Sequence, residues 1–165
     1  MFYFAYGSTM PARRLKARVP SSETVGVAVL DRHRLAFHKR GFDGSAKCDV
    51  IETGSQEDRV YGVVYEIGAD QLPQLDTAEG RGFGYERGTV SVTPEGRSPI
   101  IAECHFATGI GTETAPYSWY LHHVLTGARQ ERLHGISRGS HRSQASLIST
   151  RNEARELALY AGEDA

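Results

Sequence analysis

The chain opens on Phe2-Tyr3-Phe4-Ala5-Tyr6, an uncharged run carrying four large aromatic side chains, and breaks at once into Gly7-Ser8-Thr9-Met10. A short, wholly apolar run of this kind reads as a strand buried on both faces, so the rest of the chain has to fold around it. Gly7 lets the backbone turn, and the N–H groups of the turn then have no strand partner and can point at a ligand, forming a candidate anion cradle. The same residues also fit an ordinary tight turn at a strand end, and this segment alone does not choose between the two.

Strand patterns dominate the first two thirds of the sequence. The stretches 2–6, 24–30, 34–37, 49–53, 60–66, 85–92 and 100–107 read as strands, several separated by turn chemistry such as Gly41-Phe42-Asp43-Gly44-Ser45 and Pro94-Glu95-Gly96. Their spacing predicts an α+β chain built on a small, mostly antiparallel β-barrel. Helices interrupt it over 70–79 and 116–128, where Pro116 suits the first turn and Gly127 lies near the end. A last helix is expected over 144–160, with Leu147, Ala154, Leu157 and Ala161 forming an apolar stripe, after a polar Gly/Ser/His/Arg loop over 130–142. No repeat or linker divides the chain, so residues 1–165 are read as one domain.

Composition narrows the function classes. The formal net charge of -1 gives no global basic field for nucleic acid. No apolar run approaches the roughly 20 residues of a membrane helix, and the N-terminus lacks a basic region ahead of an apolar one. Cys48 and Cys104 have no metal-ligand spacing and read as reduced thiols of a cytoplasmic protein.

The second informative segment is Asp70-Gln71-Leu72-Pro73-Gln74-Leu75-Asp76-Thr77-Ala78-Glu79-Gly80. Asp70 is a candidate N-cap, Pro73 fits the first turn and Gly80 supplies the stop. At roughly 100° per residue, Leu72, Leu75 and Glu79 share one face, so the carboxylate falls on the side that should be buried. It also sits at the helix C-terminus, where the macrodipole disfavours negative charge by roughly 0.3–1 kcal/mol. Burial and dipole both favour the protonated acid, as a general base working near neutrality requires. A frayed last turn that leaves Glu79 in water is the competing reading.

Taken together, Tyr3-Phe4-Ala5-Tyr6-Gly7-Ser8, Leu75-Asp76-Thr77-Ala78-Glu79-Gly80 and Pro116-Tyr117-Ser118-Trp119-Tyr120 followed by Gly127-Ala128 resemble the gamma-glutamylcyclotransferase family in order and spacing across residues 1–128. The resemblance implies a gamma-glutamylcyclotransferase-like (AIG2-like) fold. It also implies cyclisation of a gamma-glutamyl donor, an amino acid or amine conjugate, to 5-oxoproline with release of the free amine and without a cofactor. Glu79 would be the general base and then acid. Tyr3, Phe4, Ala5, Tyr6, Gly7 and Ser8 would bind substrate through the strand and its turn, and Tyr120 would reach the site from the helix. The chain departs from the pattern at Thr9, where the most similar branch carries Asn; threonine keeps an oxygen but loses the amide donors, which bears on substrate identity. Two other functions fit the same residues: a gamma-glutamyl-deprotecting enzyme of a biosynthetic pathway, and a catalytically inactive small-molecule binding protein of the same fold.

Other features carry less. His122 and His123 point about 100° apart on a helix and do not suit one metal ion, and His134 and His141 have no carboxylate at ligand spacing, so no metal site is expected. Arg13-Arg14-Leu15-Lys16-Ala17-Arg18 reads as a solvated helix face, or as a source of positive potential for an acidic substrate. Lys47, after Gly44-Ser45, could approach the site from a neighbouring strand, but nothing in the sequence compels that. The Gly-x-Ser-x-Gly elbow that would make Ser8 a nucleophile is absent. The expected partner is a small gamma-glutamyl molecule, with no nucleic acid or membrane, and an exposed barrel edge leaves room for a homodimer.

Overall fold

The computed structural model of the chain describes residues 1–112 and 115–130. The helix expected over 144–160, most of the polar loop before it, and His134 and His141 lie outside the described residues. Among the described residues the strands are β1 (Phe2–Ala5), β2 (Glu23–Asp31), β3 (His33–Arg40), β4 (Ala46–Glu52), β5 (Arg59–Glu66), β6 (Tyr85–Pro94) and β7 (Ile100–Ala107). The helices are α1 (Ala12–Lys16), α2 (Leu72–Glu79) and α3 (Ser118–Gln130).

Five strands close into a barrel in the order β1-β5-β2-β6-β7. Every neighbouring pair is antiparallel except β1 and β7, which run parallel with Tyr3 opposite Glu103. The barrel is therefore mixed, and the parallel pair closes it. β1 has a partner on each side, which satisfies its backbone and leaves no exposed edge, and Tyr3, Phe4 and Ala5 are all buried. The strand-dense pattern had implied a single barrel, but β3 and β4 stand outside it as a two-stranded sheet of their own. That hairpin buries Phe37, Ala46, Cys48 and Val50 against the rest of the core, with β3 beside β5 and β4 beside β7. Period-two alternation tells which face of a strand is buried but not which sheet it joins.

Two glycines fix geometry that the site depends on. A Cβ at Gly62 on β5 would lie 2.5 Å from the Ala5 carbonyl oxygen and 2.6 Å from the Phe4 ring, so glycine lets the opening strand seat against its neighbour. Gly80 has φ 74° and ψ 44°, the left-handed cap that ends α2 directly after Glu79. α2 itself is entered through a 3-10 turn over Ala69–Gln71, so Gln71 rather than Asp70 occupies the N-cap, and Leu72 and Leu75 face the core. No helix among the described residues is long and apolar enough to cross a membrane.

Replacing Gly62 by alanine is expected to cost about 1–3 kcal/mol, because backbone and ring must both give way. A urea denaturation curve checks this, with a lower midpoint at unchanged slope as the expected result.

Candidate active site

Tyr3, Tyr6, Gly7, Ser8, Glu79 and Tyr120, all singled out from the sequence, line one cleft of ≈ 270 Å³. Phe4 and Ala5 do not line it; their side chains lie in the core, with Phe4 against Gly62. Thr9, Cys48, Tyr85 and His105 complete the wall. Cys48, Tyr85 and His105 carried no site signal in the sequence, because each sits on a strand whose alternation accounts for its burial.

The turn after β1 is closed by the Met10 N–H donating to the Gly7 carbonyl at 3.1 Å. A Cβ on Gly7 would stand 3.3 Å from Cys48 Cβ and 3.4 Å from the Tyr120 hydroxyl oxygen, so glycine permits the hairpin and α3 to close on the turn. Two tyrosines then grip the Cys48 backbone: its N–H donates to the Tyr120 hydroxyl at 3.0 Å, and the Tyr85 hydroxyl donates to its carbonyl at 2.6 Å. The Tyr6 hydroxyl donates to the His105 carbonyl at 2.6 Å. The cleft wall is thus tied together by side-chain-to-backbone bonds that cross between the barrel, the hairpin and α3.

A second line of bonds runs through His105. Its Nε2 lies 3.0 Å from Asp76 Oδ1 and its Nδ1 lies 3.2 Å from the Tyr3 hydroxyl. The Nε2–H tautomer satisfies both contacts, donating to the carboxylate and accepting from the phenol. The other carboxylate oxygen of Asp76 receives Arg81 at 2.9 Å and Arg87 at 3.0 Å. Asp76 is buried and lies on α2 one turn before Glu79, so this network locks the helix that carries the candidate base onto β6 and β7.

Glu79 is mostly buried, with 15% of its side chain exposed, and its Oε1 accepts from the Arg18 guanidinium at 2.7 Å. The sequence placed the carboxylate on the buried face but did not supply this counter-charge, which opposes the burial and dipole penalties. The basic run that read as a solvated face is divided: Arg13 and Lys16 are exposed, whereas Arg14 is buried with Nη1 2.9 Å from His123 Nε2, and Arg18 reaches the site. Lys47 does approach the site, stacking its ammonium 4.8 Å from the centroid of the Tyr120 ring and 4.6 Å from that of Trp119. It is held by Asp43 at 2.9 Å and Ser45 at 2.6 Å. No group of three or more His, Cys, Asp or Glu side chains among the described residues is arranged to hold a metal ion.

With this geometry in place, comparison with known proteins is informative. The family model for the AIG2-like family matches residues 59–136. The structure of a gamma-glutamyl cyclotransferase superposes with a TM-score of 0.81 at 23% identity, covering 95% of this chain and 98% of that one. This is the AIG2-like, gamma-glutamyl cyclotransferase fold. The uncharacterized protein loc79017 from Homo sapiens has a TM-score of 0.73 at 23% identity over 94% of this chain and 96% of its own. YkqA from Bacillus subtilis has a TM-score of 0.73 at 28% identity over 89% of this chain and 56% of its own. No curated protein matches the chain in sequence.

Within this cyclotransferase-like fold the cleft is strongly desolvated. Burial is the first cause that raises Tyr3, Tyr6, Tyr85 and Tyr120 well above the usual tyrosine range, so all four are neutral hydroxyls at any ordinary pH. Burial likewise pushes the Cys48 thiol up from 9.0 to about 12, and raises Cys104 as well. A thiol raised on folding holds its proton more tightly in the native state, so its contribution to stability is complete below pH 9.0 and is lost as the pH climbs toward about 12. Thermal unfolding followed across this window is therefore expected to show a falling midpoint above about pH 9. At pH 8 the native protein should show neither thiol reacting with a disulfide reagent until it is unfolded.

Proposed function

We propose that the protein cyclises a gamma-glutamyl donor to 5-oxoproline and releases the amine that the glutamyl group carried. The observation that carries this reading is that one cleft is lined by Glu79, a mostly buried carboxylate paired with Arg18, and by the Gly7-Ser8-Thr9 turn at the end of β1. The fold similarity to a gamma-glutamyl cyclotransferase supports it.

In this mechanism the alpha-ammonium of the donor gives a proton to Glu79, because the protonated amine has no lone pair with which to attack. The alpha-nitrogen then attacks the gamma-carbonyl carbon of the same molecule, forming the ring C–N bond and placing negative charge on the carbonyl oxygen. N–H groups of the turn around Tyr6, Gly7 and Ser8 stabilise that charge, a contribution largest in the transition state. The tetrahedral centre collapses by breaking its bond to the original amide nitrogen, which takes the first proton back from Glu79; the ring nitrogen then gives up its second proton, through the same carboxylate, to the departing amine, which leaves as an ammonium. The carboxylate is restored, and atoms and charge balance without an external reactant.

Both reacting atoms belong to one molecule, so the main task of the protein is to hold the donor folded into near-attack geometry. The rigid wall suits this: Tyr120 is fixed by the Cys48 amide, and Tyr3 by His105, so neither ring is free to drift from the cleft. Arg18 restrains the carboxylate of Glu79 in position for the incoming ammonium. Both cysteines are free and buried, consistent with action in the cytoplasm.

The test is 5-oxoproline release, measured by mass spectrometry from glutathione, gamma-glutamyl amino acids and gamma-glutamyl amines. Turnover of at least one donor is expected, with Glu79→Gln slower by about 10²–10⁴-fold. Release that persists undiminished in Glu79→Gln would reject the assigned base. A folded protein that binds these donors but releases nothing would instead make it a binding protein.

A further inference from the structure

Tyr3, His105 and Glu79 all line the cleft, and behind them a chain of buried hydrogen bonds sets the direction in which the Tyr3 hydroxyl donates. The order of donation follows from the far end of that chain. Asp76 accepts from Arg81 at 2.9 Å and from Arg87 at 3.0 Å on one oxygen, and a carboxylate so held has only lone pairs to offer. The hydrogen at its other oxygen therefore belongs to His105 Nε2, 3.0 Å away. With Nε2 carrying the hydrogen of the ring, Nδ1 is a bare lone pair, and the 3.2 Å contact to Tyr3 is made by the phenol donating. Burial first, and then the charge of Glu79, raise the Tyr3 pKa, so the phenol keeps that hydrogen to give. Tyr3 is 3% and His105 2% exposed, so the bond is shielded from bulk water.

The consequence falls on the cleft side. A phenol has one hydrogen, and here it is committed inward. The Tyr3 oxygen is left with lone pairs, one of them engaged by the Thr9 hydroxyl, which also walls the cleft. An oxygen of this polarity accepts from an N–H and has nothing to donate to a carboxylate or an oxyanion.

We infer that Tyr3 is the acceptor that holds the alpha-amine of the donor, and that His105, oriented by Asp76, is a positioning residue that fixes this polarity. The inference rests on the proposed cyclotransferase chemistry and adds to it the control of the nucleophile. The alpha-ammonium passes one hydrogen to Glu79, Tyr3 accepts from another, and the lone pair freed by the transfer is left for the gamma-carbonyl carbon. A tyrosine with a free hydrogen would donate it to that lone pair and hold the nucleophile back; the bond to His105 withdraws that hydrogen from the competition. No proton crosses the chain: Tyr3, His105 and Asp76 keep the same hydrogens throughout, and the transfers stay with Glu79.

The test uses two ligands that differ only in the alpha-amine: the gamma-glutamyl donor turned over fastest, as substrate, and the glutaryl compound of the same amine, as competitive inhibitor. They are compared on the full-length wild type, Tyr3→Phe and His105→Phe. Tyr3→Phe removes one oxygen and keeps the ring, and is expected to lower kcat/KM by about ten- to hundredfold, the range of a hydrogen bond to a charged group, with the inhibition constant of the glutaryl compound unchanged. His105→Phe releases the Tyr3 hydrogen and is expected to lower kcat/KM in the same way while the glutaryl compound binds as tightly or more so. A distorted cleft would weaken both ligands together, and that result, or an undiminished kcat/KM in Tyr3→Phe, overturns the inference. A measurement on the wild type stands even where the variants fail to fold: a long-range proton–nitrogen correlation spectrum of the His105 ring at neutral pH should show the hydrogen on Nε2 and a bare Nδ1, and a hydrogen on Nδ1 overturns the assignment by itself. If no gamma-glutamyl donor is turned over, the cyclotransferase reading fails separately, and calorimetric binding of gamma-glutamylalanine and glutarylalanine decides the role of Tyr3. A loss in Tyr3→Phe confined to gamma-glutamylalanine then upholds it, and equal losses, no loss or no binding of either compound reject it.

Discussion

The site depends on a buried carboxylate that is not the candidate base. Asp76 accepts from His105, Arg81 and Arg87, and those contacts join α2 to the barrel at β6 and β7. α2 is only eight residues long and therefore has little stability of its own. Leu72 and Leu75 give it apolar burial, but burial alone does not fix rotation or translation along the barrel to a fraction of an ångström. Directional bonds from three different side chains do, and Glu79 inherits the precision because it stands one turn further along the same helix. Removing one partner of such a buried cluster typically costs about 3–5 kcal/mol, since the remaining charges lose their compensation.

The hairpin of β3 and β4 is joined to the barrel by a similar device on a different scale. Cys48 contributes its backbone: its N–H donates to the tyrosine hydroxyl of α3, and the tyrosine hydroxyl of β6 donates to its carbonyl. His38 and Asp49 pair at 2.7 Å, and Asp49 also accepts from the Ala107 N–H at the end of β7 at 2.9 Å. The side-chain carboxylate thereby substitutes for a strand ladder between two sheets that do not pair. These bonds allow a sheet outside the barrel to carry one wall of the cleft without flexing away from it.

The fold was legible where one periodicity sufficed. The seven strands and the helices near 70–79 and 116–128 follow from alternation, apolar spacing, Pro73 and Gly80, and the burial of Glu79 follows from its helical phase with Leu72 and Leu75. The assignment of β3 and β4 to their own sheet was hidden, since the same alternation serves either arrangement. The electrostatics of the site were hidden for a different reason. Arg18 meets Glu79 across 61 residues and Tyr3 meets His105 across 102, separations that no local pattern encodes. Arg18 was read within a charged run, and a run of charges gives no sign of which member turns inward. Asp76 falls beside the apolar face of α2, where a carboxylate reads as an ordinary polar position until its three partners are seen.

Glu79 with Arg18, Lys47 with Asp43, and Asp76 with its three partners are internally compensated, and compensation of this kind is what makes a preorganised site inexpensive to maintain. Such groups hold geometry and contribute little driving force for binding, because their fields are already answered within the protein. Binding energy for a charged ligand has to come from charges and dipoles that remain unanswered. Under the proposed function that part falls to the backbone N–H groups of the turn after β1, which borders the cleft. The closed barrel and the locked helix give the cleft its shape, and the internal pairs keep that shape without depending on a ligand.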